Sequence, residues 1–422
     1  MTKSRKIGIT FIVVLIIFFQ IGLWLIITDD FSEKDLGPFP FKVDKLISSE
    51  NSPELKKIIE IGKKIEGLNE FEEKFKIDSN NPKDMEDQIL VFLQKNEKVL
   101  LQIEPELFKN CKFPEPRFEK EYSGMEEVKN IVKLKYYQTL FHILLHDFEN
   151  AKNNLIQLNL INSYLNEKVN SWLCQMVVAA CKLFELNGIN FLLEQEYFTL
   201  DQKINILNIK QIPTSSQNIH QIGYFEEENI KFELNKMNQV KRKSLKDYYF
   251  VSYTVKSNKT IKMHRDFLLR AIESLETQNE NSFEVLKEIY FQKRLIGYKP
   301  NSVGKLIMSM IAGVIPLCTK KMWGVNNKQN QFSLAKEILE FKFKTGDLPE
   351  SLEDLNLDKK RYIDFYTKEP FLYSKENGIL QSVGKNKKND SVDLTTKTVT
   401  KKEYFDFLND GKYNDDFFIY LK

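Results

Sequence analysis

A long, predominantly apolar run lies near the start of the chain, from Ile7 to Ile27, with Gln20 as a polar residue within it. It contains no ionisable side chain, and about 21 helical residues span roughly 30 Å, the thickness of the hydrocarbon core of a bilayer. A cleavable signal peptide has a shorter apolar core and a small-residue cleavage site, whereas this run continues directly into Thr28, Asp29 and Asp30. The sequence therefore predicts an uncleaved transmembrane helix, through which residues 7–27 contact the lipid bilayer.

The charges on either side of this run predict its orientation. Lys3, Arg5 and Lys6 precede it and acidic residues follow it, and positive side chains stay on the cytoplasmic side of a membrane. We expect residues 1–29 to form the cytoplasmic tail and anchor of a single-pass inner-membrane protein. Residues 30–52 are predicted to form a stalk, and the rest of the chain an extracytoplasmic body.

Apolar residues recur at helical spacing over residues 53–207, which predicts a helical domain. Solenoids of helical hairpins need about three repeats for stability, and only one hairpin is recognisable in this sequence. A helical bundle and a degenerate repeat are therefore both compatible with the pattern. That hairpin resembles a tetratricopeptide unit, with its turn at His146 and a second helix carrying Ala151, Leu155, Leu158 and Ile161. From Met125 to Asn150, one arc of the helical wheel holds the predicted core residues Tyr137, Leu140, Phe141, Leu144, Leu145 and Phe148.

The middle of the chain, residues 208–331, is predicted to be mixed but mainly helical. Aromatic and β-branched residues indicate a strand at Tyr248–Val255, and helical spacing returns from Lys262 to Arg294. The apolar segment Leu306–Cys318 is about 13 residues long, below the roughly 17 that a membrane crossing needs. We therefore expect a buried core helix that ends at Pro316.

The last part of the chain, residues 332–422, is predicted to form a helix packed on a small antiparallel sheet. The helical stripe consists of Phe332, Ala335, Ile338 and Leu339. Lys342 and Lys344 suit the negative end of the helix dipole, and Gly346 can adopt the left-handed conformation that ends a helix.

An Asn-Gly pair predicts the sheet, because both residues tolerate positive φ in a tight hairpin turn. Asn377 and Gly378 stand between the predicted strands Phe371–Lys375 and Ile379–Val383, and a third strand is expected at Phe417–Leu421. The predicted fold class is thus mainly α, with an N-terminal transmembrane helix, a helical body and a small α+β C-terminal module that contains an antiparallel hairpin.

The charged residues exclude one class of partner. The 62 Lys and Arg residues are balanced by 59 Asp and Glu residues, and the two signs are interspersed. A nucleic-acid interface requires a concentrated basic face, so no nucleic-acid partner is expected.

The four cysteines would face an oxidising compartment if the body is exported. Cys174 and Cys181 should not pair if they share one helix, because seven residues separate their Cα atoms by about 10 Å, beyond the roughly 7 Å that a disulfide spans. Other pairings that involve Cys111 and Cys318 cannot be chosen from the sequence, and buried free thiols are the simplest expectation.

His142 and His146 have the four-residue spacing that places two metal ligands on one helix face. Position 143 is Ile where a zinc protease carries Glu, and both rings should point about 160° away from the apolar stripe. We therefore interpret them as solvated and predict no metal site.

Ser333-Leu-Ala-Lys336 and Lys344-Thr-Gly346 superficially match two motifs of penicillin-recognising enzymes. Both lie on one helix and its end, and no Ser-Asp-Asn motif accompanies them. Nothing sets the acidity of Glu194 apart from that of Glu196. Consequently no catalytic, cofactor-binding or metal-binding residue is assigned, and no cofactor is expected.

Three short motifs follow one another in the last 90 or so residues, and their order is informative. They are Gly346-x-x-Pro349-x-x-Leu352-x-x-Leu355, then Asp364 to Pro370-Phe-Leu-Tyr373, then Ser382-Val-Gly384-Lys-Asn386. This order resembles the C-terminal half of the major pseudopilins of type II secretion, a pattern shared by an uncharacterised family of membrane-anchored bacterial proteins. The upstream segment Cys111-Lys-Phe113-Pro114 is similar to the same family.

The resemblance implies a pseudopilin-like module but not pilin processing or calcium binding. Pilin processing requires Glu five residues into the mature helix, whereas Gly8 is followed by Ile9 and position 13 is Val. Pseudopilins bind calcium with acids in the loop after S-x-G, and here Lys385, Lys387 and Lys388 would repel a cation that needs six to eight oxygen ligands. Asp390 and Asp393 remain as candidate ligands, and we expect a calcium-free loop.

Three functions remain compatible with these patterns. No set of residues in the sequence matches a known catalytic arrangement, which favours a non-enzymatic, membrane-anchored scaffold that binds other proteins of the envelope. The alternatives are an extracytoplasmic hydrolase whose site is assembled from scattered residues, and a pseudopilin-like component of a secretion system.

Overall fold

A computed structural model describes the secondary structure of about two thirds of the chain. The predicted anchor at residues 7–27, the strand at 248–255 and the loop at 385–390 lie outside the described residues, as does nearly all of the stalk. The structure describes residues 40, 52–75, 77, 81–113, 124–169, 171–209, 216–239, 257–277, 302–384 and 417–421.

The described residues fall into two compact units. The first contains residue 40 and those between 219 and 319, and the second contains those between 52 and 218 together with those from 320 onward. Each unit has its own buried residues and is described by itself below.

Short helices begin the second unit, and local sequence explains their starts. Ser52 caps the first helix by accepting a hydrogen bond from Leu55 N (3.2 Å), and Asn81 caps the third by accepting one from Asp84 N (3.3 Å). Each cap is followed by a proline, which suits the first turn of a helix. The five helices are α1 (Pro53–Lys63), α2 (Leu68–Lys74), α3 (Pro82–Lys95), α4 (Glu97–Leu100) and α5 (Pro105–Asn110).

Four further helices follow between residues 125 and 207, which confirms the prediction of a helical region from residue 53 to residue 207. Asp147 and Ser171 cap two of them, and a reciprocal capping box of Thr199 and Gln202 starts the last. The helices are α6 (Met125–Leu144), α7 (Phe148–Lys168), α8 (Trp172–Leu193) and α9 (Leu200–Leu207).

Helix α6 lies at the centre and packs against α1, α3, α7 and α8. Gly62 permits the close approach of α1, because a Cβ atom at that position would lie 2.5 Å from the Cβ of Glu127. The predicted core stripe is only partly correct: Tyr137, Leu140 and Phe148 are buried, whereas Leu145 is 45% exposed. The reason is that α6 ends at Leu144, so the helical period does not continue through residues 145–147.

The helix of the C-terminal module is much longer than predicted. Helix α12 runs from Ser302 to Thr345, so the expectation that a helix ends at Pro316 is wrong. Proline removes one backbone donor, but Ile315, Cys318 and Met322 on either side of it are buried, and this packing offsets the lost hydrogen bond. The predicted domain boundary between residues 331 and 332 lies inside α12.

The C-terminal end of α12 confirms the predicted stripe and cap. Phe332, Ala335, Ile338 and Leu339 are all buried. Gly346 has a φ of 86° and donates its N–H to the carbonyl of Lys342 over 2.8 Å. The left-handed glycine therefore ends the helix.

A three-stranded antiparallel sheet confirms the predicted hairpin and third strand. Strands β1 (Leu372–Ser374), β2 (Ile379–Ser382) and β3 (Phe417–Tyr420) lie in the order β1-β2-β3. Only Gly378 has positive φ in the turn (63°), and its N–H donates to Lys375 O over 3.1 Å. The turn thus differs from the expected type, in which Asn377 would also have positive φ.

One described helix is long and apolar enough to cross a membrane, the stretch Cys174–Leu193 of α8. About two thirds of its most apolar window is buried inside the protein, and α8 packs against α6, α7 and β3. This is the environment of a core helix.

The first unit contains α10 (Ser216–Gln239) from residue 219 onward, α11 (Ser257–Thr277) and residues 302–319 of α12. The predicted helix at Lys262–Arg294 is confirmed up to Thr277, and its remainder lies outside the described residues. Buried residues of α10 and α11 include Ile222, Phe225, Phe267 and Leu268.

Candidate functional site

A buried polar region of the second unit lies where α7 and α8 face each other. Polar residues recur at intervals of three or four positions along α7, and of three or seven along α8, which places them on one face of each helix. Those on α7 are Asn159, Asn162, Ser163 and Asn166, and those on α8 are Gln175, Lys182 and Glu185; all are buried. We call this set the polar cluster.

Glu185 is at the centre of the polar cluster and is fully buried. Lys182 Nζ donates to both of its carboxylate oxygens over 2.8 Å, and the side-chain amides of Asn159 and Asn162 each donate over 2.9 Å. A buried ion pair is tolerated only when further hydrogen bonds replace the lost hydration. The two asparagines supply those bonds.

A small cavity lies beside this ion pair, between α7, α8 and the part of α12 after residue 320. Its volume is about 20 Å³, which is room for about one water molecule. Two buried polar atoms of its lining, Asn162 Oδ1 and Gln329 Nε2, have no hydrogen-bond partner in the described part of the chain. The lining residues are Asn162, Ser163, Asn166, Gln175, Val178, Ala179, Lys182, Met322, Val325 and Gln329.

The predicted placement of His142 and His146 on one helix face is wrong. His142 is on the last turn of α6, whereas His146 lies in the following turn with a φ of 60°. The His146 ring is exposed, as expected, and stacks on Tyr197 with 3.6 Å between ring centroids.

His142 is mostly buried rather than solvated, and its Nδ1 lies 3.5 Å from a carboxylate oxygen of Asp147. Burial lowers the pKa of His142, although the nearby Asp147 carboxylate opposes this shift. Among the described residues, no group of three or more His, Cys, Asp or Glu side chains is arranged to hold a metal ion.

The two motifs that resemble those of penicillin-recognising enzymes do not meet. Ser333 Oγ donates to the carbonyl of Gln329 (3.0 Å) in the preceding helical turn, and Lys336 lies 3.5 Å from Glu340. Thr345 Oγ1 hydrogen bonds to the backbone of Phe341 and Asp347. Ser333 and Lys336 therefore interact within α12, and only Thr345 lies at its end.

The motifs that resemble those of pseudopilins do come together. The buried carboxylate of Asp364 accepts hydrogen bonds from Ser382 Oγ (2.8 Å), Val383 N (3.2 Å) and Asn327 Nδ2 (3.1 Å). Tyr373 Oη donates to the carbonyl of Pro349 over 2.8 Å. The separate motifs thus stabilise one module.

A lysine of α12 beside this module was not singled out in the sequence. The half-buried Lys328 places Nζ 3.7 Å from the ring centroid of Phe417 and 3.4 Å from Asn187 Oδ1. Burial of its ammonium group lowers the pKa of Lys328 to about 7. No sequence signal marks it, because lysines are common along the whole chain.

The first unit contains a buried ion-pair network that sequence reasoning also missed. The fully buried Glu227 of α10 accepts two hydrogen bonds of 2.6 Å from Arg265 of α11, and Lys231 Nζ lies 2.8 Å from it. These cations hold the pKa of Glu227 below its usual value, although burial acts in the opposite direction. The network joins the two helices.

His264 lies next to this network and is fully buried. Neither ring nitrogen has a hydrogen-bond partner among the described residues. Burial lowers the pKa of His264 to about 4, although the Glu227 carboxylate partly opposes the shift.

The four cysteines are buried thiols outside any disulfide, which confirms the simplest expectation. Cys174 and Cys181 lie on the single helix α8, the arrangement in which they cannot pair. Burial raises the pKa of Cys111 and of Cys181 to about 12, so both remain unreactive thiols at neutral pH.

Comparison of the chain with models of protein families, with curated proteins and with solved structures finds no match. The resemblance to the pseudopilin-like family stays a prediction.

Proposed function

We propose that the protein is a membrane-anchored scaffold whose extracytoplasmic body binds other proteins of the cell envelope. The main observation that supports this proposal is that the charged groups of the polar cluster around Glu185 are paired inside the protein. Its charged groups bind each other and neighbouring amides, and the adjoining space of about 20 Å³ is far below the several hundred Å³ of a pocket for an organic ligand.

The described helices support a structural role for the body. Antiparallel helices α6, α7 and α8 pack side by side, and bundles and stacked helical hairpins of this kind provide extended rigid surfaces for binding. The apolar run Ile7–Ile27 and the basic residues before it support membrane anchoring with the body outside.

The C-terminal module favours a second candidate, a pseudopilin-like component of a secretion system. The hydrogen bond from Ser382 to Asp364 joins two of the motifs on which the resemblance rests, and α12 packs on the antiparallel sheet through Phe332 and Phe417. Co-purification of the full-length protein with an assembled filament would favour this candidate.

Photo-cross-linking in living cells tests the scaffold proposal. A photoreactive amino acid is placed one at a time at Val91, Leu101 and Phe343, which are among the most exposed large apolar residues described. We expect at least one position to give a discrete adduct with an envelope protein. The buried position Leu93 is the control and should give none.

The proposal would be contradicted if no exposed position gave an adduct while the protein remained folded in the membrane. An activity-based label that reacted with the wild-type body would favour the hydrolase alternative instead.

A further inference from the structure

We propose that the cavity beside the polar cluster is a binding site for one resident water molecule, which joins Asn162 of α7 to Gln329 of α12. This inference goes beyond the proposed function, and it rests on the two buried atoms that lack partners in the described part of the chain.

The size of the cavity selects a ligand with a single heavy atom. A volume of about 20 Å³ exceeds the roughly 10 to 15 Å³ that one water molecule requires and excludes larger molecules. A buried water also needs two to four polar partners, and the lining supplies them from three helices.

The chemistry of the lining selects water over an ion. Asn162 Oδ1 requires a donor and Gln329 Nε2 requires an acceptor, and water is both. A cation would be repelled by the donor groups of Lys182 and Gln329. An anion would be repelled by the Asn162 oxygen and the nearby carboxylate of Glu185. If the Gln329 amide is rotated by 180°, water still fits, because it can donate to both oxygens.

The water would connect parts of the chain that lie far apart in sequence. Asn162 already donates to Glu185 Oε2 through Nδ2, so the hydrogen-bond chain would run from the buried ion pair through Asn162 and the water to α12. The polar cluster and α12 would then be stabilised together.

A double-mutant cycle on the full-length protein in detergent tests this connection. Asn162 Oδ1 and Gln329 Nε2 make no direct hydrogen bond, so a bridging water requires that N162A and Q329M be coupled. We expect each variant to lower the melting temperature, and the double variant to lose several degrees less than the sum of the two losses. Additive losses would overturn the proposal.

A parallel cycle of N162A with Q331M is the matched control. Gln331 lies on the same helix but donates directly to the carbonyls of Leu380 and Phe417, so these two losses should be additive. If N162A does not fold, N162S takes its place in both cycles.

Exchange of the salt distinguishes water from a cation. The melting temperature of the wild-type protein should be the same in sodium, potassium and ammonium chloride at equal concentration. A rise with potassium or ammonium that Q329M abolishes would show a cation in the cavity and overturn the assignment.

Discussion

Ser382 donates its hydroxyl hydrogen to the buried carboxylate of Asp364 over 2.8 Å, and this bond joins two segments that are unrelated in sequence position. The same carboxylate accepts hydrogen bonds from Asn327 of α12 and from the backbone of Tyr366 and Val383. One acceptor group therefore fixes the helix, the sheet and the loop between them.

Replacement of Asp364 by alanine should strongly destabilise the C-terminal module. The substitution leaves several buried donors without an acceptor, and each such group costs about 1–3 kcal/mol; we expect a total loss of roughly 2–4 kcal/mol. Thermal denaturation of the full-length protein measures it. The control is D358A, which removes only an exposed helix cap at Lys360 N and should cost no more than about 1 kcal/mol; equal losses would contradict this account.

The buried Lys182–Glu185 pair has a surface counterpart with the same spacing, Lys83–Glu86. K182M leaves Glu185 buried without its cation, and removal of one partner of a buried pair costs about 3–5 kcal/mol. K83M removes the exposed pairs with Glu86 and Asp87 and should change the free energy of unfolding by no measurable amount. Chemical denaturation that gave similar losses for both variants would show that the polar cluster is open to solvent.

The buried His264 predicts a dependence of stability on pH. Its pKa is about 4 in the folded protein and about 6.5 when unfolded, so the unfolded chain binds more protons between these values. The stability contributed by the neutral ring is complete above pH 6.5 and is lost as the pH falls toward 4. From pH 7 to pH 5 the loss should be about 2 kcal/mol.

H264L should remove this part of the pH dependence, because leucine cannot take up a proton in either state. H146Q, which alters an exposed ring in the other unit, is the control and should leave the slope in place. Denaturation curves at pH 5, 6 and 7 measure the effect. A wild-type stability that did not change over this range would contradict the assignment.

Two glycines should respond to alanine for different reasons. G62A places a methyl group against the backbone of Glu127, and such overpacking costs about 1–3 kcal/mol. G346A meets no atom within 4 Å but must adopt a φ of 86°, which costs roughly 1–2 kcal/mol. Thermal denaturation measures both losses, and an unchanged melting temperature for G62A would contradict the close packing of α1 on α6.

Strong local signals in the sequence were sufficient to predict the helix end and the sheet of the C-terminal module. The helical stripe at Phe332, the left-handed Gly346 and the Asn-Gly turn act through neighbouring residues, so their positions could be predicted. The length of α12 could not be predicted from the sequence. Pro316 lacks a backbone donor and therefore indicates the end of a helix, whereas tertiary packing continues the helix past it.

The polar cluster could not be predicted for a related reason. The sequence predicts a solvent-exposed face for Asn159, Asn162 and Gln175, since uncharged polar residues usually lie at the surface. The available signal was an uncharged polar stripe on α7 that continues over two turns, from Asn159 to Asn166. The turn predicted at His146 is present, but the helical wheel was continued through it to Asn150. Residues 144 and 145 continue the apolar pattern, while His146 adopts a positive φ that few non-glycine residues take.

The N-terminal sequence and membrane topology of the mature protein test the central proposal, anchoring of an exported body. The full-length chain with a C-terminal tag is expressed in bacteria, and its N-terminus is sequenced from the membrane fraction before and after protease treatment of spheroplasts. The account predicts an N-terminus that precedes Ile7 and a tag that the protease removes while the inner membrane is intact. An N-terminus near Asp29, or a tag that is protected until the membrane is broken, would contradict it.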